Sequence, residues 1–185
     1  MAILAFQQAF PKLASGVYVA PSADVIGDVE LGPDVSIWFH CTVRGDVNDI
    51  RIGRETNIQD NSVLHVTGGQ FPLRIGQGVI VGHRVIAHGC TIGDHCLIGM
   101  GAIILDGAVI GEGSIVAAGA VVPEGMVVPA GMLVAGVPAK VKRPVTDIER
   151  ARIAEGVRHY IELKNIYLRA VAPGHHAMPG ASPYS

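Results

Sequence analysis

Apolar positions recur along this chain with a period of six. Aliphatics stand at Val19, Val25, Leu31, Ile37 and Val43, at Ile52, Ile58 and Leu64, and at Ile75 and Val81. They continue at every sixth position from Ile86 through Ile92, Ile98, Ile104, Ile110, Val116, Val122 and Val128 to Val134. The following residue is often glycine, as at Gly32, Gly53, Gly76 and Gly99, and the fourth residue on is small or β-branched, as at Val35, Thr56, Ser62, Ala102 and Ala108. This period is neither the 3.6 of an amphipathic helix nor the alternation of a half-buried strand. It fits a short strand plus a turn, repeated, which is the signature of a parallel β-helix. Three strands and about 18 residues close one triangular coil, and neighbouring coils stack about 4.8 Å apart. Each aliphatic then lies over its equivalent one coil below, and the resulting ladders fill a narrow prism.

The rhythm slips in three places. Three extra residues separate Val43 from Ile52, the step from Leu64 to Ile75 is eleven rather than twelve, and that from Val81 to Ile86 is five. A slip forces backbone out of the coil, so Gly45–Arg51 and Thr67–Arg74 are expected to protrude as loops, the places to look for function. After Pro138 the pattern changes. Thr146 with Glu149 reads as a capping box, and Ile148, Ile153, Val157, Tyr160, Ile161 and Leu168 follow at roughly helical spacing. One helix of about 20–24 residues from Asp147, packed outside the prism, is predicted. The expected organisation is a hexapeptide-repeat β-helix domain over 1–140, a C-terminal helix over 141–171 and a flexible tail over 172–185 that carries a solvated His175 and His176.

Composition sharpens the picture. Among 185 residues, 49% are hydrophobic but only 5% aromatic and 16% charged, and glycine occurs 24 times. No aromatic occurs between Phe71 and Tyr160. An ordinary core draws much of its buried area from aromatics, whereas a ladder of Val and Ile has no room for a single large ring. Lys and Arg number 14 against 16 Asp and Glu, with no basic block, which argues against nucleic acid as a partner. Mean hydropathy is +0.40, yet Gly, Pro or acidic residues break every apolar run before a membrane-spanning length of about 20 residues, and the first residues lack the features of a secretory signal. Low surface charge points to faces buried in an oligomer. Three cysteines without metal-ligand spacing favour a reducing cytoplasm, and Cys41, Cys90 and Cys96 each fall in the small-residue slot, as buried structural thiols do.

Of eight histidines, His40 and His95 occupy turn slots and His159 lies on the predicted helix. His65, His83 and His88 differ, because they fall near one level of the prism beside the slips, with His83 and His88 in the same slot and His65 18 residues before His83. Three neutral imidazoles with an open fourth position make a catalytic zinc site. Three turn histidines in a His-rich chain is the other reading of the same spacing. Successive strands of a coil face different directions, so a site shared between subunits would bring the three rings together more readily than one prism.

The segments Val43-Arg44-Gly45-Asp46, Asn57-Ile58-Gln59-Asp60-Asn61-Ser62-Val63-Leu64-His65 and Val81-Gly82-His83-Arg84-Val85-Ile86-Ala87-His88-Gly89-Cys90 together resemble the γ-class carbonic anhydrases and their bacterial relatives over roughly residues 10–170. The run Ala135-Gly136-Val137-Pro138-Ala139-Lys140 is shared with hexapeptide acyltransferases and discriminates poorly. The resemblance implies a left-handed β-helix, a homotrimer and zinc at the subunit interfaces, with iron or cobalt as alternative metals. It implies that His65 and His88 bind the metal from one subunit and His83 from its neighbour. Gln59 would bond the reacting oxygen or position CO2, and Arg44, Asp46 and Asp60 would form the interfacial ion-pair network, with Arg44 also able to meet bicarbonate. A purely structural ion pair is the alternative for Arg44 and the two aspartates. The implied activity is zinc-dependent hydration of CO2 to bicarbonate. Val47 and Thr67–Phe71 supply no carboxylate where active relatives carry glutamates for proton export, so low or buffer-dependent activity is expected. An acyl-CoA thioesterase or acyltransferase and a non-catalytic metal-binding scaffold are the alternatives.

Overall fold

The computed structural model describes residues 1–171, and the tail with His175 and His176 lies outside the described residues. Twenty strands precede one helix, and they stack into a three-faced parallel solenoid. One face runs through Tyr18–Val19, Ser36–Ile37, Asn57–Ile58, Ile80–Val81, Leu97–Ile98, Ile115–Val116 and Met132–Ala135. A second stacks Val63–His65, Ile86–His88, Ile103–Ile104 and Val121–Val122, and a third Leu73–Ile75, Thr91–Ile92, Val109–Ile110 and Val127–Val128. Val25, Val43, Leu64, Ile104 and Val122 lie fully buried on one ladder, as the period requires. The last strand, Lys140–Pro144, departs from the parallel rule and folds back antiparallel on Met132–Ala135 to close the stack.

Two of the sequence expectations are corrected. Gly45–Arg51 is no loop: it lies within one continuous strand, Thr42–Ile52, paired with Asp24–Leu31 across a register shift opposite Gly27–Val29. These two long strands fuse the second and third faces into a single twelve-stranded sheet, so the three extra residues become strand rather than protrusion. Gly45 permits the close approach, since a Cβ there would lie 2.6 Å from the Asp28 carbonyl oxygen. The second correction concerns Ile86. It is 40% exposed, and the buried rung is Ala87, paired with Leu64 below and Ile104 above. Two adjacent apolar residues made the register ambiguous, and the five-residue step falls after Ala87, not before Ile86. The stretch from Thr67 does leave the coil, as a turn closed by pairing between Thr67 and Phe71 before the chain re-enters at Leu73.

The helix Asp147–Val171 starts at the reciprocal cap, with Thr146 N donating to Glu149 Oε2 (2.9 Å) and Glu149 N to Thr146 Oγ1 (3.3 Å). Its inward stripe is Ile153, Val157, Tyr160, Lys164 and Tyr167. Ile148, expected on that stripe, is 68% exposed in the first turn, and Leu168 also faces outward. Lys164 takes an inward position instead, fully buried, because its Nζ meets Asp34 Oδ1 at 2.8 Å and Asn165 Oδ1 at 2.8 Å. Tyr160 and Tyr167 pack on Trp38 with ring centroids 5.4 Å apart in each case, so aromatics from the two ends of the chain meet outside the prism. Cys41, Cys90 and Cys96 are buried and unpaired, and burial pushes their thiols up to about 11, about 12 and about 11.

Candidate metal centre

His65 and His88 end equivalent strands on the second face and are direct register partners. The turn at Thr67–Phe71 lengthens this coil, so the residue above His65 is His88, 23 positions on, and not His83 as a uniform 18-residue coil would have it. Parallel pairing stacks the two imidazoles with centroids 5.0 Å apart and sets Nδ1 of His65 3.0 Å from Nε2 of His88.

The outer nitrogens decide what those facing atoms are. His65 Nε2 lies 3.0 Å from Asp46 Oδ1, and His88 Nδ1 lies 2.6 Å from Asp106 Oδ1. Each carboxylate has a second donor: the Arg44 guanidinium bonds Asp46 Oδ2, and Thr67 Oγ1 donates to Asp106 Oδ2 at 2.7 Å. Burial raises the Asp46 carboxyl, but hydrogen bonds from Arg44 and His65 outweigh it and hold the group below its ordinary value. Burial likewise raises Asp106, and the bonds from Thr67 and His88 bring it below. An ionised carboxylate only accepts hydrogen bonds. Each carboxylate therefore holds a ring proton on the outer nitrogen, and with both imidazoles neutral each inner nitrogen presents a lone pair.

Two lone pairs 3.0 Å apart repel unless an electrophile joins them. Nitrogens on one tetrahedral metal at about 2.0–2.1 Å lie about 3.3 Å from each other, a few tenths more than the separation here. Ligand imidazoles anchored through the other N–H to a carboxylate are the usual support of a metal. The donor set therefore fits a cation. It is also incomplete, because among the described residues no group of three His, Cys, Asp or Glu within the chain is arranged to hold a metal ion.

The remaining candidates gather at a different corner. His83 Nδ1 is 3.0 Å from Asp60 Oδ2. Gln59 is buried and donates from Nε2 to Asn57 Oδ1 at 3.1 Å, while Asn57 Nδ2 is buried without a partner among the described residues. Thus the chain brings together Arg44, Asp46, His65 and His88 on one side and Gln59, Asp60 and His83 on another. Among the described residues no hydrogen bond joins the two groups. Asp106 and Thr67 escaped the sequence reading. A signal existed for Asp106, which lies one regular coil of 18 residues after His88.

Comparisons with known proteins agree with the six-residue repeat. The family model "Bacterial transferase hexapeptide (six repeats)" matches residues 89–124, and "Hexapeptide repeat of succinyl-transferase" matches 72–104. "Gamma carbonic anhydrase 2, mitochondrial" of Arabidopsis thaliana is 45% identical over 162 residues, 85% of this chain, and the match spans only 58% of the plant protein. A Methanocaldococcus jannaschii protein named "Probable carbonic anhydrase" is 44% identical over 151 residues, 82% of this chain and 94% of that one. The crystal structure of a Bacillus cereus protein, provisionally described as an acetyltransferase, superposes with a TM-score of 0.88 at 42% identity, over 90% of this chain and 96% of that one. With the three motifs in place around the paired histidines, this chain belongs to the γ-class carbonic anhydrase family.

Proposed function

We propose that the protein interconverts CO2 and bicarbonate as a homotrimer, with zinc, or iron or cobalt in its stead, held by His65 and His88 of one subunit and His83 of the next. The reading is carried by the facing lone pairs of His65 and His88, each backed by a carboxylate. Assembly is supported by the two halves of the site lying at different corners of one chain. The apolar residues beside the histidines support it too, since Val63 and Ile86 stand exposed at 41% and 40%. Unpaired thiols at Cys41, Cys90 and Cys96 favour the cytoplasm.

Bound at the histidines, such a metal supplies Lewis acidity that lowers the pKa of a coordinated water to about 7. The chain's own groups do the rest. Asp46 and Asp106 fix both ligand tautomers. Arg44, tied to Asp46 but part-exposed, presents a guanidinium suited to planar bicarbonate. Gln59 offers an amide to the reacting oxygen or to CO2, and Asp60 orients His83. Val47 is exposed where a proton-accepting carboxylate is absent, so proton export falls to buffer and turnover is slow without it.

An acyltransferase reading draws on the description of the Bacillus cereus structure. It calls for a lone imidazole base, whereas His65 and His88 face each other as a pair, each backed by its own carboxylate. Purified protein is expected to hold about one zinc-type ion per chain and to hydrate CO2 in a stopped-flow assay, faster with added imidazole. Absence of metal, or metal without hydration in either buffer, would overturn the proposal and leave the scaffold or thioester readings.

A further inference from the structure

Asp106 stands outside the three family motifs and is delivered from the corner after Ile103–Ile104, a full coil above His88. Both of its oxygens are committed, one to His88 Nδ1 at 2.6 Å and the other to Thr67 Oγ1 at 2.7 Å. Thr67 opens the only segment between Thr42 and Val134 that leaves the solenoid and folds back on itself among the described residues. That turn is pinned from a second side, where Asn48 Nδ2 donates to the Thr67 carbonyl at 3.0 Å. Its far end, Phe71, rests on two glycines. A Cβ on Gly89 would lie 2.7 Å from Phe71 Cβ, and one on Gly107 would lie 3.0 Å from Phe71 Cε1. The residue after Asp106 is thus kept small so that the ring can settle against the same corner.

From this we propose that Asp106 is the residue that positions His88 in the centre. It keeps the His88 proton on Nδ1, so that Nε2 faces His65 as a free ligand atom, and through Thr67 it locks the Thr67–Phe71 turn to that imidazole. The glutamates missing from Val47 and from the turn do not leave this side of the site without a carboxylate; one arrives from a later coil and serves orientation. The inference rests on the metal reading of His65 and His88, and its test separates the two.

The test compares the wild type with Asp106→Asn, Asp106→Ala and Thr67→Val as full-length protein. In metal-free samples, 15N NMR of the histidine rings is expected to find His88 as the Nδ1–H tautomer in wild type and in Thr67→Val, and to find that preference lost in Asp106→Ala. Cobalt(II) affinity, measured by competition with a chelator, is expected to fall about 100-fold in Asp106→Ala and about 10-fold in Asp106→Asn, with a perturbed cobalt visible spectrum. Thr67→Val should loosen only the turn, seen as faster amide exchange at Gly69–Phe71. Wild-type cobalt affinity in both Asp106 variants, or an unchanged His88 tautomer in Asp106→Ala, would overturn the proposal. Unaltered exchange in Thr67→Val would remove its second half. Asp106→Asn, which preserves volume, decides the matter if Asp106→Ala does not fold. Should wild type take up no cobalt while the tautomer still depends on Asp106, the metal reading fails and the role of Asp106 in orienting His88 stands.

Discussion

The coils that carry the histidines and the coils beyond them follow the same repeat under different rules. From Leu97 to Val128 every strand is two residues long, and each left-handed corner is glycine, at Gly101, Gly107, Gly113, Gly119 and Gly125. Earlier in the chain the strands Asp24–Leu31 and Thr42–Ile52 reach 8 and 11 residues. There glycine still takes some left-handed positions, such as Gly78 and Gly89, but Asp34, His40, Glu55, Asn61, Arg84 and His95 hold others. A side chain in that backbone region costs about 1–2 kcal/mol. The regular half therefore stacks at little local cost, while the other half accepts strain at its corners in exchange for side chains where glycine offers none. His83 and Asp60 sit beside such corners, at Arg84 and Asn61. His88 and Asp106 instead precede glycine corners, at Gly89 and Gly107, so the strained corners serve the Asp60–His83 side of the site.

This contrast is open to test, starting with the largest effect. His88→Ala is expected to reduce CO2 hydration to the uncatalysed rate and to abolish metal retention, while the metal-free melting temperature moves by only a few degrees. Ile110→Ala, in the regular half, should do the reverse. It should cost about 2–5 kcal/mol in denaturant unfolding, with the metal stoichiometry of the folded protein unchanged. A swap of these outcomes would end the division of labour between the halves. A finer test exchanges corners. Gly119, with no atom within 4 Å of where a Cβ would sit, isolates backbone strain, so Gly119→Ala should lose about 1–2 kcal/mol. His40→Gly should gain at most about 1 kcal/mol, since relief of strain is offset by the greater freedom of glycine in the unfolded chain. Equal and opposite changes would mean that the strain at His40 is unsupported by its surroundings.

The smallest effect concerns the junction where the regular half passes into the helix. Hydrogen bonds from Arg143 and Thr146 hold the exposed Glu149 carboxyl well below the usual carboxylate range. A carboxyl lowered on folding adds stability above its unfolded pKa of about 4.3, and that part is lost as pH falls below it. Glu149→Gln should therefore flatten the acid side of the melting-temperature curve below about pH 4 and lower the plateau only slightly.

Much of the solenoid could be read from the six-residue period, because a rung such as Ile75 or Ile92 has a polar residue before it and glycine after it, and so no rival for the buried place. At Ile86-Ala87 the rule failed where two apolar neighbours competed, and burial went to the smaller. The insertion at Gly45–Arg51 was misread for a related reason. Extra residues were assumed to leave the coil, whereas backbone pairing with Asp24–Leu31 kept them in it. The histidine pair was visible as residue types but not as partners, since the true register depends on how many residues the Thr67–Phe71 turn absorbs. Asp106 was hidden by distance along the chain, although an offset of one coil from a ligand is a search that sequence alone permits. Lys164 was hidden by its charge, which Asp34 answers from the other end of the chain.

That last contact, with the rings of Tyr160 and Tyr167 on Trp38, bears on the order in which the molecule is made. A stack of repeats can form coil by coil behind the ribosome, each coil templated by the one before. Here the earliest coils expose Tyr18, Trp38 and Asp34 to a helix that is the last described element to be synthesised. At about 5–20 residues per second the nascent chain waits several seconds for that cover. The aromatic patch under the helix is sealed only once that helix has emerged, so the first coils and the last described element reach their packed state together.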